Sequence, residues 1–299
     1  MSPDLALFFQ LTVSGLASGS IYALVALGFV IIYKSTEVLN FAQGELMMIG
    51  AYISFSLITQ FKVGFIPALF ITVILAALLG VLVEFFVLKK MVGEPIFSTI
   101  MITIGLAVVL RGLVGLVWGH ADHRLETGFF SDKPFKFASI VISEVHVWTV
   151  VSSLVLMMVF FIFFKVSRLG IGMRASAENQ DAALLMGISA RQTFALAWAA
   201  SAIVSAVGGI LLSQISFMHP GMSFVGLNAF PAVILGGLDS MVGGVIGGFI
   251  IGIVENLSGG YLDQYIGGGF KQISTFIVLL IFLMVRPYGL FGTKEIEKV

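Results

Sequence analysis

Residues 6 to 33 read ALFFQLTVSGLASGSIYALVALGFVIIY, a stretch without one charged side chain and longer than the roughly 20 residues an α-helix needs to cross a hydrocarbon core. The pattern recurs down the chain. Apolar runs lie near 41 to 60, 65 to 88, 96 to 118, 146 to 166, 191 to 212, 240 to 258 and 270 to 286, giving eight predicted crossings in all. A ninth segment, 222 to 236, is apolar but only about three-quarters of a spanning length, as a half-helix or a broken helix would be. Of the 299 residues, 59% are hydrophobic and 11% charged, and the mean hydropathy is +1.08, a composition no soluble domain of this size carries. The predicted fold is all-α: a polytopic transmembrane helix bundle of eight to nine spans forming a single domain, 1–299.

Sixteen Lys and Arg balance sixteen Asp and Glu, so no basic surplus draws nucleic acid. With no cysteine and four scattered histidines, no disulfide, thiolate site or metal centre is expected. No G-x-x-x-x-G-K-[ST] occurs, so the chain has no P-loop for ATP. The first cation is Lys34, too late for the positive start of a signal peptide, and residues 1 to 33 are read as part of the mature protein.

With the ninth segment counted as a crossing, Lys34, Lys89, Lys90, Lys165, Arg168, Arg174, Arg191, Arg286, Lys294 and Lys298 fall on one side. Lys62, Arg124, Lys133, Lys136 and Lys271 fall on the other. Ten against five marks the first side as cytoplasmic, with the N-terminus out and the C-terminus in. The outer connection, 119 to 145, mixes charges with Phe129 and Phe130 and reads as a solvated loop. The inner connection, 167 to 190, is different. Ala175 to Met186 is rich in helix formers and stops at Gly187, which predicts a short cytoplasmic helix.

Gly244, Gly248 and Gly252 share one helix face at four-residue spacing, and Gly15 and Gly19 form a similar pair on the first helix. Lipid gives no hydrophobic drive for helix pairing, so these glycines are read as close-packing faces. Four charged residues lie within spans and need a partner or water: Glu45, Glu84, Arg111 and Glu255. Glu84, near Lys89 and Lys90, is expected to reach the inner interface. Arg111 stands seven residues before Trp118, roughly 10 Å from the outer interface, and Glu255 falls near the same face. Arg111 and Glu255 are therefore expected to form a structural ion pair.

The densest polar group is Asn40, Gln43 and Glu45, in VLNFAQGELMMIGAY (38 to 52). Two readings stand side by side. In one, Gly44 allows a kink whose amides face a substrate path, with Asn228 and Pro231 of the short segment across it. In the other, Asn40 and Gln43 cap the second helix and Glu45 complements its N-terminus. The segments 39 to 50 and 222 to 236 both look interrupted, as transporter halves do, but no residue-level repeat accompanies them and the pairing is read as coincidence.

Gly19-Ser20-Ile21-Tyr22-Ala23-Leu24 leads to Leu39-Asn40-Phe41-Ala42-Gln43-Gly44-Glu45-Leu46. The inner loop follows with Gly172, Arg174, Ala177, Glu178, Asn179, Ala182, Ala183, Gly187 and Ile188. Later come Gly236-Gly237-Leu238-Asp239-Ser240 before Gly243-Gly244, and the tail Arg286-Pro287-Tyr288-Gly289-Leu290-Phe291-Gly292. In this order, along nearly the whole chain, these stretches resemble the integral membrane permeases of bacterial ABC importers, specifically the branched-chain amino acid permease group.

The resemblance implies a non-enzymatic transport subunit of the bacterial inner membrane. It would form, with a second and commonly different permease chain, the path for branched-chain or other hydrophobic amino acids. Two cytoplasmic ABC ATPases would carry the ATP and Mg, with no cofactor on this chain, and an extracytoplasmic solute-binding protein would deliver cargo. By the same resemblance the loop residues Gly172, Arg174, Ala177, Glu178, Asn179, Ala182, Ala183 and Gly187 would couple to an ATPase. Urea, short amides and aromatic acids are alternative cargoes. The rival from another class is an ion-coupled secondary transporter, with Glu45 and Glu255 as its candidate sites.

Overall fold

The opening apolar stretch forms one uninterrupted helix, α1 (Pro3–Thr36), in this computed structural model, which describes residues 3–91, 94–128, 134–137, 140–178 and 180–292. There follow α2 (Gln43–Phe55), prolonged by a π-helical turn Ser56–Gln60, then α3 (Phe65–Phe86), α4 (Ile96–Trp118) and α5 (Glu144–Val166). Two short helices, α6 (Arg168–Glu178) and α7 (Gln180–Leu185), precede α8 (Ala190–Ile215). A 3-10 turn, Pro220–Phe224, opens into α9 (Val225–Gly236), and α10 (Met241–Ile266) and α11 (Phe270–Val285) complete the bundle. Among the described residues, six helices are long and apolar enough to cross a membrane, and Pro220–Gly236 and Phe270–Val285 are shorter apolar helices.

Burial separates the centre from the rim. In α1, 89% of the most apolar window is buried within the protein, and in α8 72%, against 28% in α3 and 22% in each of α4 and α5. The first two are therefore the axis, and the others turn most of their surface outward. Polar contacts sort the ends. At one end the Lys34 ammonium donates to the Asp239 carbonyl, and Lys89 and Arg191 both lie over the Phe85 ring. At the opposite end Gln10 bonds the Val141 backbone, and His123 pairs with Met218. The segment 220–236 runs from the second end to the first, because Gly236 accepts from Phe291 beside the Lys34 end. It is a crossing whose first turn, Pro220–Phe224, is 3-10 rather than α-helical.

The interruptions at 39–50 and 222–236, read as coincidence from the sequence, are one structural feature. Each follows an axial helix: α2 follows α1, and α9 follows α8. α2 and α3 pack on α8, while α9 and α10 pack on α1; α2 lies against α4 as α9 lies against α11. Since α1 and α8 run in opposite directions, α1–α4 and α8–α11 are inverted repeats about the axial pair. The sequence hides this because helix packing needs matching shapes rather than matching residues.

Two further details differ from expectation. The loop helix predicted from Ala175 to Met186 falls in α6 and α7, which flank Asn179, a residue outside the described ones; the first starts at Arg168, where Ser167 Oγ accepts from the Gly170 amide at 2.9 Å. The second ends at Gly187 (φ +82°), with Ile188 N bonded to Ala183 O and Gly187 N to Leu184 O, the Schellman pattern. Within the outer connection a small antiparallel ribbon forms from β1 (Pro134–Phe137) and β2 (Ile140–Ser143), with Phe135 opposite Ile142. Phe129 and Phe130 lie outside the described residues.

Candidate functional site

The centre of the molecule is built by the broken start of α2. After α1 ends, residues 37–42 turn back into the bundle without helical structure, so α2 begins beside Gly28, about 12 Å up from the end of α1. The Asn40 side chain accepts from Ala42 N and donates to Gln43 Oε1, both at 3.0 Å, which fixes this turn. Gln43 then crosses to α8, where its amide donates to Ser201 at 2.9 Å and Ser205 at 2.5 Å. Only glycine fits at position 28, since a Cβ there would meet the Gln43 amide. The neighbouring Gly44 touches Ser223 and Gly226, so the N-terminal ends of α2 and α9 meet backbone to backbone at this level.

Of the five predicted path residues, Asn40, Gln43, Glu45 and Pro231 are buried inside the bundle, and Asn228 alone lines an open cavity. The ion pair expected between Arg111 and Glu255 does not form. Arg111 instead bonds Glu45 at 2.5 Å and lies 4.4 Å over the Phe224 ring. The expectation assumed that the second span is helical from the interface; its non-helical entry raises Glu45 to the depth of Arg111. Glu255 is paired at 3.8 Å with Lys271, whose stem passes Gly259, where there is room for it. Tyr22, buried on α1, lies near both Glu255 and Asn228. Sequence reasoning missed Ser201, Ser205, Phe224 and Tyr22. The two serines, four apart on an apolar helix, were the available signal.

An open cavity of about 980 Å³ lies at the end opposite Lys34, between the 216–228 segment and α11. Its wall combines Phe217, Phe224, Leu227 and Phe276 with Asn228 and Gln272, and His120, Asp122 and His219 stand in the same lining. Such a surface suits a small solute with an apolar body and a polar group.

The five predicted packing glycines sit where α1 crosses α10. A Cβ on Gly15 would lie 2.8 Å from the Ile253 backbone, and one on Gly19 2.9 Å from Phe249. Gly248 touches Ala23, Gly252 touches Gly19, and Gly244 faces Val30. In the loop, Arg174 donates to the Lys165 carbonyl at 3.2 Å, Glu178 and Ala182 are exposed, Gly172 and Ala177 are half-buried, and Ala183 is buried. Asn179 lies outside the described residues. The loop also presents Leu185 and Met186, 89% and 82% exposed, which the sequence reading did not single out.

The chain matches the family described as branched-chain amino acid transport system / permease component over residues 11–286. It is 33% identical, over the full length of both chains, to the high-affinity branched-chain amino acid transport system permease protein LivH of Salmonella typhimurium. It is 30% identical to the corresponding protein BraD of Pseudomonas aeruginosa, covering 99% of this chain and 100% of that one. Among solved structures, PsaBC from Streptococcus pneumoniae in complex with Fab superposes with a TM-score of 0.50 at 14% identity, over 92% of this chain and 91% of that one, a likeness of fold alone. Full-length identity at this level, together with the family match, means that the chain belongs to the branched-chain amino acid transport permease family and is a multi-pass membrane permease component of an ABC importer.

Proposed function

We propose that this chain is one of two permease subunits that together carry leucine, isoleucine and valine inward across a cytoplasmic membrane, with its Lys34 end in the cytoplasm. The reading rests on one observation above the others: the interior is sealed at the level of Gln43 and Gly44, while a cavity walled by apolar side chains, two amides, Asp122, His120 and His219 opens beside α9 and α11. Solute would pass along that flank, against a second permease chain, and Asn228 and Gln272 would meet its polar groups. A solute-binding protein would dock at the cavity end, and an ATPase would receive the 167–190 loop. Leu185 and Met186 are the contact tip in this reading, and Arg174, Glu178 and Ala182 flank it. Closure of two ATPases would then tilt α5 and α8 through α6 and α7 as a rigid-body motion.

Uptake of radiolabelled leucine tests the proposal in vesicles holding this chain, its neighbouring permease, the ATPases and the binding protein, with urea and benzoate as competitors. Uptake that needs both ATP and the binding protein, and that valine but neither urea nor benzoate suppresses, is the expected result. Uptake by this chain alone on an ion gradient would overturn it.

A further inference from the structure

A second cavity, of about 410 Å³, lies at the Lys34 end and is lined by Lys34, Lys165, Arg174 and Asp239, with Phe161 and Val242 among its apolar walls. Three cations from three elements converge here: Lys34 in the last turn of α1, Lys165 in the last turn of α5 and Arg174 on α6. One carboxylate stands against them. The contacts that hold two of the cationic heads are to neutral acceptors: Lys34 donates to the Asp239 carbonyl and Arg174 to the Lys165 carbonyl, each at 3.2 Å. These bonds orient the charges without neutralising them, and among the described residues the cavity is lined by three cations and one carboxylate.

The mouth differs from a solvent cleft. Phe161 is 44% exposed, Val242 45% and Val166, just beyond, 69%, on helix faces that in a membrane protein meet acyl chains. A ligand that satisfies both features carries an anionic head and an apolar tail. Basic pockets between helix ends at the level where spans leave the hydrocarbon are suited to such head groups, and charge-assisted bonds to a phosphate are among the stronger polar contacts available. We propose that this cavity seats the phosphate of an anionic phospholipid, with an acyl chain lying on α5 beside Phe161. The phosphate would join α1, α5 and α6, fastening the start of the 167–190 loop to the axial helix. The inference rests on the chain being a membrane protein and is independent of its cargo.

The test uses the full chain in nanodiscs of phosphatidylcholine, with and without phosphatidylglycerol. Native mass spectrometry reads which lipid is retained, and hydrogen exchange reads residues 168–178. The expected result is roughly tenfold preferential retention of phosphatidylglycerol and slower exchange over 168–178 when it is present. Lys165→Gln, at an exposed position, should weaken both effects; Lys34→Gln with Lys165→Gln should abolish them, and Lys165→Arg should preserve them. Equal retention of the two lipids, or protection unchanged in Lys165→Gln, would overturn the site. Glycerol 3-phosphate added to phosphatidylcholine discs must fail to reproduce the protection; if it succeeds, the cavity takes a soluble phosphate ester and the lipid assignment is wrong.

Discussion

Gln43 is a buried amide whose bonds all go to protein, so its replacement acts first on stability. Gln43→Ala leaves Ser201 and Ser205 without their cross-helix partner and opens a void beside Gly28. The expected cost is about 1–3 kcal/mol, seen as a lower melting temperature in detergent, with leucine uptake falling in proportion to folded protein. A selective rise in KM without loss of stability would instead place Gln43 on the solute path. The Arg111–Glu45 pair is asymmetric: the Glu45 side chain is 2% exposed and that of Arg111 33%. Arg111→Leu strands a buried carboxylate and should cost about 3–5 kcal/mol, whereas Glu45→Gln keeps an acceptor for the guanidinium and should cost less. A thermal-shift series in which the two variants melt together would contradict this ordering. Neither partner was legible in the sequence as belonging to this pair. Depth arithmetic treats every span as helical from the interface, whereas residues 37–42, with Glu37 and Asn40 among them, enter the bundle without helical structure.

At the level of elements, hydropathy placed nearly all the spans, because 20 apolar residues leave the chain few alternatives in lipid. It did not place helix starts set by side chains, such as the Ser167 cap of α6, or the re-entrant approach to α2. The glycine faces were legible as packing surfaces, but not their partners. α1 and α10 are in such close contact that even one methyl group is excluded at Gly252, where a Cβ would meet Gly19, while a Cβ at Gly208 on α8 would stand a comfortable 3.7 Å from Leu24. Gly252→Ala should therefore cost about 1–3 kcal/mol and broaden the size-exclusion peak, and Gly208→Ala should be neutral or slightly stabilising. Equal behaviour of the two would mean that α1 and α10 are not packed as described. For the loop, Leu185→Asp or Arg174→Glu should leave the permease folded in the membrane and abolish ATP-dependent uptake. Retained uptake in both variants would remove this loop from the ATPase interface.

On the scale of the whole molecule, the inverted relation between α1–α4 and α8–α11 left only one trace in the sequence, the paired interruptions read as coincidence, since the two halves share a path through space without sharing residues. Its product is the meeting of Gly44 with Ser223 and Gly226, where two helix starts close on each other with no side chain between them. Nothing the size of a water molecule fits through such a contact. A single copy of this chain is thus an insulator. Spread alone in a planar bilayer, it should add no conductance to that of the lipid, and vesicles loaded with a small dye should keep their contents. If solute passes between two permease chains, as proposed above, permeability belongs to that seam, and a cell that makes this chain in excess should suffer no leak.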